Sequence, residues 1–185
     1  MRILLVDNHT VHKKALLKAL AGYDVEIQKY RPGIKFRDSG KDLIILSGGG
    51  GQGFEINDTY KDHKLWYDDE IKFVRSSDKP ILGICMGFEV ITRAYEGKIE
   101  EVGHLVQGFK DIQLNKFGKS VLLHPKIRQF ESHRWCVRKA PKGFRVLADS
   151  ETGVEIMKKG NILATQFHPE KGGTLHLRDL ITQAA

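Results

Sequence analysis

Cysteine, proline and long apolar runs are all scarce in this sequence. Of 185 residues only two are cysteine, Cys85 and Cys136, and they stand far apart in no Cys-x-x-Cys pair. A disulfide scaffold and a zinc module are therefore not expected. No apolar stretch approaches the roughly 18 residues that a membrane helix needs, so no membrane partner is expected. The N-terminal run Ile3-Leu4-Leu5-Val6 stops at Asp7, far short of a signal-peptide core, and a cytoplasmic location is expected. Repeats, low-complexity tracts and linkers are missing too, which points to one domain spanning 1–185. Charge of one sign is not concentrated anywhere. Lys+Arg number 30 against 23 Asp+Glu, a net +7, but the basic residues from Lys13 to Arg178 are interleaved with acids. A solvated surface follows from that spread, and nucleic acid is not an expected partner. With 41% hydrophobic and 29% charged residues, the chain is too apolar for disorder and able to bury a core without disulfides or a structural metal.

What is present alternates strand and helix signals through the first half. Ile3-Leu4-Leu5-Val6, Leu43-Ile44-Ile45-Leu46 and Ile81-Leu82-Gly83-Ile84 are short continuous apolar runs, the pattern of strands buried on both faces. Val25 and Ile27 alternate with polar neighbours, as in a more exposed strand. Between these runs, Val11, Ala15, Ala19 and Leu20 fall on one helical face with Thr10 placed to cap it, and Trp66, Ile71 and Val74 mark a second helix before Pro80. A third runs from about Met86 to Tyr95. Buried parallel strands separated by helices predict an α/β fold with an open, doubly wound, mostly parallel sheet. After Gly97 the signals shorten. Ile112–Leu114, Val121–Leu123, Trp135–Val137, Phe144–Leu147 and Val154–Met157 read as an added antiparallel β portion, and Ile162–Phe167 as one more strand. A final helix carrying Leu177, Leu180 and Ile181 opens at Gly172-Gly173.

The sharpest chemical signal is Gly83-Ile84-Cys85-Met86-Gly87. A strand ends at the cysteine, a helix starts just after it, and glycines stand two before and two after. That arrangement is a nucleophile elbow with a thiol in place of serine. The helix N-terminus behind Cys85 is expected to lower the thiol pKa, and the Met86 N–H is placed for a developing oxyanion. The competing reading is a buried cysteine between two packing glycines. Position favours the elbow, because open α/β sheets place their sites at the carboxyl ends of central strands. Cys136, in an apolar strand after Trp135, is assigned to packing.

A thiol nucleophile needs a base. Most of the eight histidines lie in polar stretches. His168 differs: it ends an apolar strand, is followed by Pro169, and has Glu170 two residues on, where a carboxylate returns to orient the imidazole. The third element is Ser47-Gly48-Gly49-Gly50-Gly51, a glycine run after a buried strand, suited to an oxyanion hole or anion site. No Gly-Lys-Ser/Thr follows, so it is not a P-loop.

Together, the elbow cysteine, the glycine loop one strand earlier and the late Gln166-Phe167-His168-Pro169-Glu170 resemble the class I (triad) glutamine amidotransferases. The resemblance runs over nearly the whole chain. Pro141-Lys142-Gly143-Phe144-Arg145-Val146-Leu147-Ala148 also matches the Pro-x-Gly-Phe-x-Val-Leu-Ala stretch common in that family. The resemblance implies the flavodoxin-like amidotransferase fold and a Cys85-His168-Glu170 triad acting on L-glutamine, with Gly49 and Met86 supplying the oxyanion-hole N–H groups. It further implies a substrate site formed by Gly48, Gly50 and the residue at position 89, with Ser132-His133-Arg134 laid along the bound glutamine. No cofactor and no metal are implied. Two positions depart from the family pattern: Gly50 stands where proline is usual, and Glu89 stands where the elbow motif carries glutamine.

What the resemblance implies for function is a free-standing glutaminase subunit, resembling the small subunits of GMP synthase and anthranilate synthase. Ammonia would pass to a separate synthetase, the ATP-binding subunit of GMP synthase or, as an alternative, an anthranilate synthase component. Two other readings stay open. One is a cysteine hydrolase of another γ-glutamyl amide acting without a partner. The other is a non-catalytic regulatory protein of the same fold.

Overall fold

Nine strands and five α-helices occur in the computed structural model, which describes residues 1–50 and 65–185. In chain order they are β1 (Arg2–Asp7), α1 (Lys13–Ala19), β2 (Asp24–Lys29), β3 (Leu43–Leu46), α2 (Asp68–Ser76), β4 (Ile81–Ile84), α3 (Met86–Ala94), β5 (Glu100–Leu114), α4 (Lys116–Leu122), β6 (Ile127–Cys136), β7 (Arg145–Asp149), β8 (Val154–Lys159), β9 (Ile162–Thr165) and α5 (Leu177–Ala184). All the strands join one sheet in the order β2-β1-β3-β4-β9-β8-β7-β5-β6. The β2-β1-β3-β4-β9 half is parallel. From β9 onward each neighbour runs antiparallel. The doubly wound parallel half with an antiparallel extension matches the sequence expectation.

The continuous apolar runs explain the central position of β1, β3, β4 and β9. Both faces of those strands are covered, so residues of either parity must be apolar. Ile3, Leu5, Leu43, Ile45, Leu82 and Ile84 pack on one face with Leu16 and Leu20 around α1 and Leu177, Leu180 and Ile181 of α5. Leu4, Val6, Ile44, Leu46 and Ile81 pack on the other with Ile71 and Val74 of α2 and Val90 and Ile91 of α3. At about 1.5–3 kcal/mol per buried Leu or Ile side chain, these two layers set the position of β4, whose carboxyl end carries Cys85. The more polar β2 lies at the sheet edge, with only Gln28 of its six residues buried. Among the described residues no helix is long and apolar enough to cross a membrane.

Four local expectations are corrected. Val121–Leu123 is not a strand: it closes α4, whose N-cap Asn115 accepts a hydrogen bond from the Gly118 N–H. A three-residue apolar run carries no period, whereas an asparagine cap followed by Phe117 and Val121 one turn apart, both packed on the core, does mark a helix. The α1 cap is His12, not Thr10, and Val11 is exposed. The last helix begins at Leu177 instead of at the glycines, because Gly173 is bridged to Gln129 and the Thr174 N–H is bonded to the Arg128 carbonyl. Its start is closed by the His176 N–H donating to Asp179 Oδ2 at 2.8 Å. Finally, β5 and β6 extend far beyond their apolar ends to 15 and 10 residues. Backbone pairing holds this polar hairpin, and pairing leaves no hydrophobic signature.

Glu70 of α2 is fully buried and receives the Asn8 Nδ2–H at 3.0 Å, while the Asn8 backbone N–H reaches the Ser47 hydroxyl at 2.9 Å. This network braces the start of the glycine loop. Burial raises the Glu70 carboxyl from its ordinary 4.5 to about 8, against the pull of the Asn8 amide. The folded chain therefore keeps a proton that the unfolded chain sheds above its own pKa. The stabilisation from this site is complete below pH 4.5 and is lost as pH rises to about 8, at roughly 1.4 kcal/mol per pH unit. Glu70→Gln removes the titration while keeping the shape. Thermal melts are expected to show the variant matching the parent near pH 4 and exceeding it near pH 8; a variant that is less stable at the higher pH would contradict this account.

Candidate active site

At the carboxyl end of β4 the chain turns sharply into α3. Cys85 occupies the turn with φ 50° and ψ −102°, a left-side conformation that a non-glycine residue adopts only when its surroundings enforce it. The enforcing bonds are its own N–H to the Thr165 carbonyl at 2.8 Å and the Glu89 N–H to the Cys85 carbonyl at 3.1 Å. The flanking glycines are sterically required. A Cβ on Gly83 would lie 2.7 Å from the Gly87 carbonyl, and one on Gly87 would lie 2.3 Å from the Leu46 carbonyl oxygen. Strand, turn and helix thus approach too closely for any side chain at either glycine.

Cys85 is almost fully buried, at 4% exposure. Its thiol pKa moves opposite to the sequence expectation. Burial raises it well above its ordinary value, the charges of Glu89, Glu170 and Glu131 push the same way, and the Met86 N–H opposes them. The helix N-terminus acts in the expected direction but is outweighed by lost solvation and by carboxylates, two of which only the tertiary fold brings near. The thiol donates weakly to the Ser132 carbonyl at 3.8 Å.

His168 follows β9. Its Nδ1 lies 2.8 Å from Glu170 Oε1, and the two side chains are 2% and 0% exposed. A carboxylate can only accept, so Nδ1 carries the hydrogen, and in the neutral ring Nε2 presents a lone pair. That Nε2 has no hydrogen-bond partner among the described residues. The His168 backbone N–H is tied to the Phe130 carbonyl at 2.8 Å. Gly48 reports how closely the glycine loop approaches: a Cβ there would sit 2.8 Å from His168 Cε1 and 3.6 Å from Cys85 Cβ. Loop, imidazole and thiol therefore converge at one point.

The remaining sequence candidates divide. Gly49 is buried beside Gly48, while Gly50 is exposed, has φ +90° and bridges to Thr10. Gly51 and His63 lie outside the described residues. Glu89 is buried at 2% exposure. Burial pushes its carboxyl up to about 7, with His133 and the Gln166 amide pulling it down. Of Ser132-His133-Arg134, only Ser132 reaches the thiol, through its backbone. His133 faces away into a buried pairing with Glu131 Oε2 at 2.9 Å and the Trp135 carbonyl at 2.8 Å. Arg134 is exposed.

Three residues of this neighbourhood carry no sequence signal. His12 packs edge-on against His168 with ring centroids 4.6 Å apart and 76° between planes. Its pKa falls to about 4, chiefly through burial and then through the charge of His168, so it stays neutral beside that imidazole. Glu131 and Glu155 are fully buried on β6 and β8. Residues far apart in sequence make these contacts, and no local spacing announces them.

Comparison with known proteins places this geometry. The family profile described as "Glutamine amidotransferase class-I" matches residues 4–184. The chain is 28% identical over 162 residues to a glutamine-hydrolysing GMP synthase of Bdellovibrio bacteriovorus, an alignment covering 86% of this chain and 30% of that protein. It is 33% identical over 106 residues to anthranilate synthase component 2 of Archaeoglobus fulgidus, covering 56% of this chain and 58% of the other. It therefore spans less than two thirds of these curated relatives. Among solved structures, a Thermoplasma acidophilum protein provisionally assigned to GMP synthase superimposes with a TM-score of 0.78 at 25% identity, over 100% of this chain and 92% of that one.

Proposed function

The chain belongs to the class I glutamine amidotransferase family, and from that membership we propose that it hydrolyses L-glutamine to glutamate and ammonia and hands the ammonia to a partner synthetase. The observation that carries this reading is the convergence of Cys85, His168 and the Gly48 backbone at one buried point, with His168 held by Glu170 at 2.8 Å.

In this mechanism His168 Nε2 takes the thiol proton as Cys85 Sγ attacks the side-chain amide carbon of glutamine. Because the thiol pKa is raised by burial, proton transfer accompanies attack, instead of a standing thiolate waiting for substrate. The N–H groups of Met86 and Gly49 receive the oxyanion. The tetrahedral adduct collapses as His168 returns the proton to the departing nitrogen; the C–N bond breaks, ammonia leaves, and a γ-glutamyl thioester remains on Cys85. Water, deprotonated by the same imidazole, then releases glutamate. Glu170 keeps the imidazole in the productive tautomer and stabilises its charged form. Glu89 takes the place of the family glutamine at the substrate's amino-acid end. Its carboxyl, raised by burial to about 7, offers both a donor and an acceptor when protonated, as an amide does.

The partner we propose is the ATP-binding subunit of GMP synthase, supported by the likeness to GMP synthases; the likeness to anthranilate synthase component 2 supports the second reading. Glutamate release by the purified chain, measured with and without each candidate partner, tests both levels. Stimulation by the GMP synthase subunit is expected. Activity that is indifferent to it leaves the glutaminase reading standing and removes the partner, while turnover confined to other γ-glutamyl amides removes the glutaminase reading.

Gly48→Ala separates geometry from stability. Its Cβ would collide at 2.8 Å with the His168 ring, a side chain, and not with backbone. The fold is expected to survive while kcat drops by about 100-fold or more, since displacing a general base by an ångström removes most of its contribution. A kcat within a few-fold of the parent would show that the imidazole does not need its observed position.

A further inference from the structure

We propose that Glu131, His133 and Glu155 form a binding site for a first-row divalent cation, beside the candidate active site and independent of the amidotransferase reading. Glu131 and His133 sit two residues apart on one face of β6, and Glu155 comes from β8. All three are buried, at 1%, 5% and 0% exposure. One ligand atom from each lies within 4.8 Å of the other two. Bonds of about 2.0–2.2 Å to zinc place ligand atoms roughly 3.3 Å apart, which lies between the 2.9 Å of the His133–Glu131 contact and the 4.8 Å limit of the cluster.

The hydrogen bonds around the cluster point to a ligand. The Trp135 carbonyl lies 2.8 Å from His133 Nδ1 and can only accept, so Nδ1 is the donor there. In the neutral ring that leaves Nε2 facing inward with its lone pair, the arrangement in which histidines ligate metals. Nε2 stands 2.9 Å from Glu131 Oε2, a distance at which a proton lies between the two until a cation displaces it. On the far side, Ser150 Oγ and Thr152 Oγ1 donate to Glu155 Oε1 at 2.6 and 3.2 Å. They orient the carboxylate and leave its other oxygen unused. Glu131 Oε1 and Glu155 Oε2 have no hydrogen-bond partner among the described residues. Unsatisfied carboxylate oxygens at this depth are costly, and a dication satisfies both while neutralising two buried charges. One imidazole nitrogen with two carboxylates favours Zn²⁺ or Mn²⁺ over Mg²⁺ or Ca²⁺, which prefer all-oxygen sites.

Zinc binding to the full chain tests the proposal, with Cys85→Ala as the background so that the thiol cannot capture the metal. Isothermal titration with ZnCl₂ is expected to give one saturable site per chain, and added zinc is expected to raise Tm in a concentration-dependent way. Introducing Glu155→Gln should weaken binding by about 100-fold or more, with Glu131→Gln as a second, independent variant. Glu155→Gln keeps side-chain size and an oxygen to accept from Ser150 and Thr152, so that metal-free variant is expected to melt no lower than the Cys85→Ala background. Introducing His168→Ala instead should leave zinc affinity unchanged. Three results each overturn the proposal: no saturable binding at millimolar zinc, affinity unaffected by both glutamine variants, or affinity lost with His168→Ala. In the first of these, the proton between His133 and Glu131 is not displaced.

Discussion

Alanine in place of Cys85 is expected to reduce glutamate release by about four to six orders of magnitude, the loss that follows when the nucleophile of a triad is removed. The reasoning runs through both chemistry and packing. No other thiol is close enough to substitute, since Cys136 lies at the end of β6 and pairs with Glu100 of β5. The substitution takes away one sulfur atom at a position 4% exposed, a volume loss worth about 1 kcal/mol at most against a typical stability of 5–15 kcal/mol. Alanine also tolerates the φ of 50° no worse than cysteine does, because the clash that disfavours it comes from the Cβ, which both residues carry. His168 stays bonded to Glu170, and the loop N–H groups stay in place. The variant should therefore fold, bind glutamine and fail to turn it over. Circular dichroism, glutamine binding by calorimetry and a sensitive glutamate assay on the same preparation check the three parts. Residual turnover within tenfold of the parent would mean that Cys85 is not the nucleophile.

The second large effect is structural. Gly87→Ala puts a methyl group 2.3 Å from the Leu46 carbonyl oxygen and 2.7 Å from Leu46 Cβ. Leu46 has no room to yield. It is fully buried in β3 and is paired with Val6 of β1 and with Gly83 of β4. The first turn of α3 would have to lift from the sheet, taking Met86, Phe88 and Val90 out of the core that they fill. A loss of at least about 4–5 kcal/mol is expected, a large part of the stability of an ordinary domain. Denaturant titration, or soluble yield where too little folded protein remains, measures it. The contrast with Gly48→Ala is informative, because there the obstructing atoms belong to a side chain. A Gly87→Ala protein with parental stability would show that α3 does not pack on β3 as closely as described.

Much of this architecture can be read from the chain alone. The runs at Ile3–Val6, Leu43–Leu46 and Ile81–Ile84 announce doubly covered parallel strands, because burial on both faces forbids polar residues at either parity. Gly83-x-Cys85-x-Gly87 announces a turn whose backbone must pass within contact distance of itself. His168-Pro169-Glu170 announces a carboxylate two residues from an imidazole, and the two side chains lie 2.8 Å apart. Each of these depends on neighbours along the chain, where covalent geometry limits what the residues can do.

The tertiary structure alone decided the rest. The long β5–β6 hairpin has no apolar period; family resemblance brings Ser132-His133-Arg134 to the site, but nothing in the sequence shows that His133 turns away from the thiol toward Glu131 and Glu155. His12 lies 156 positions before His168, yet the two rings touch. The thiol pKa shows the same division. The helix N-terminus behind Cys85 is a local feature and is present as expected, but burial and three carboxylates, Glu170 and Glu131 among them from distant segments, reverse its effect. Local pattern fixes which element a residue joins. Which residues meet, and how dry the place is where they meet, depends on strand order and register across the whole sheet, and charges respond to that surrounding medium more than to their neighbours in sequence.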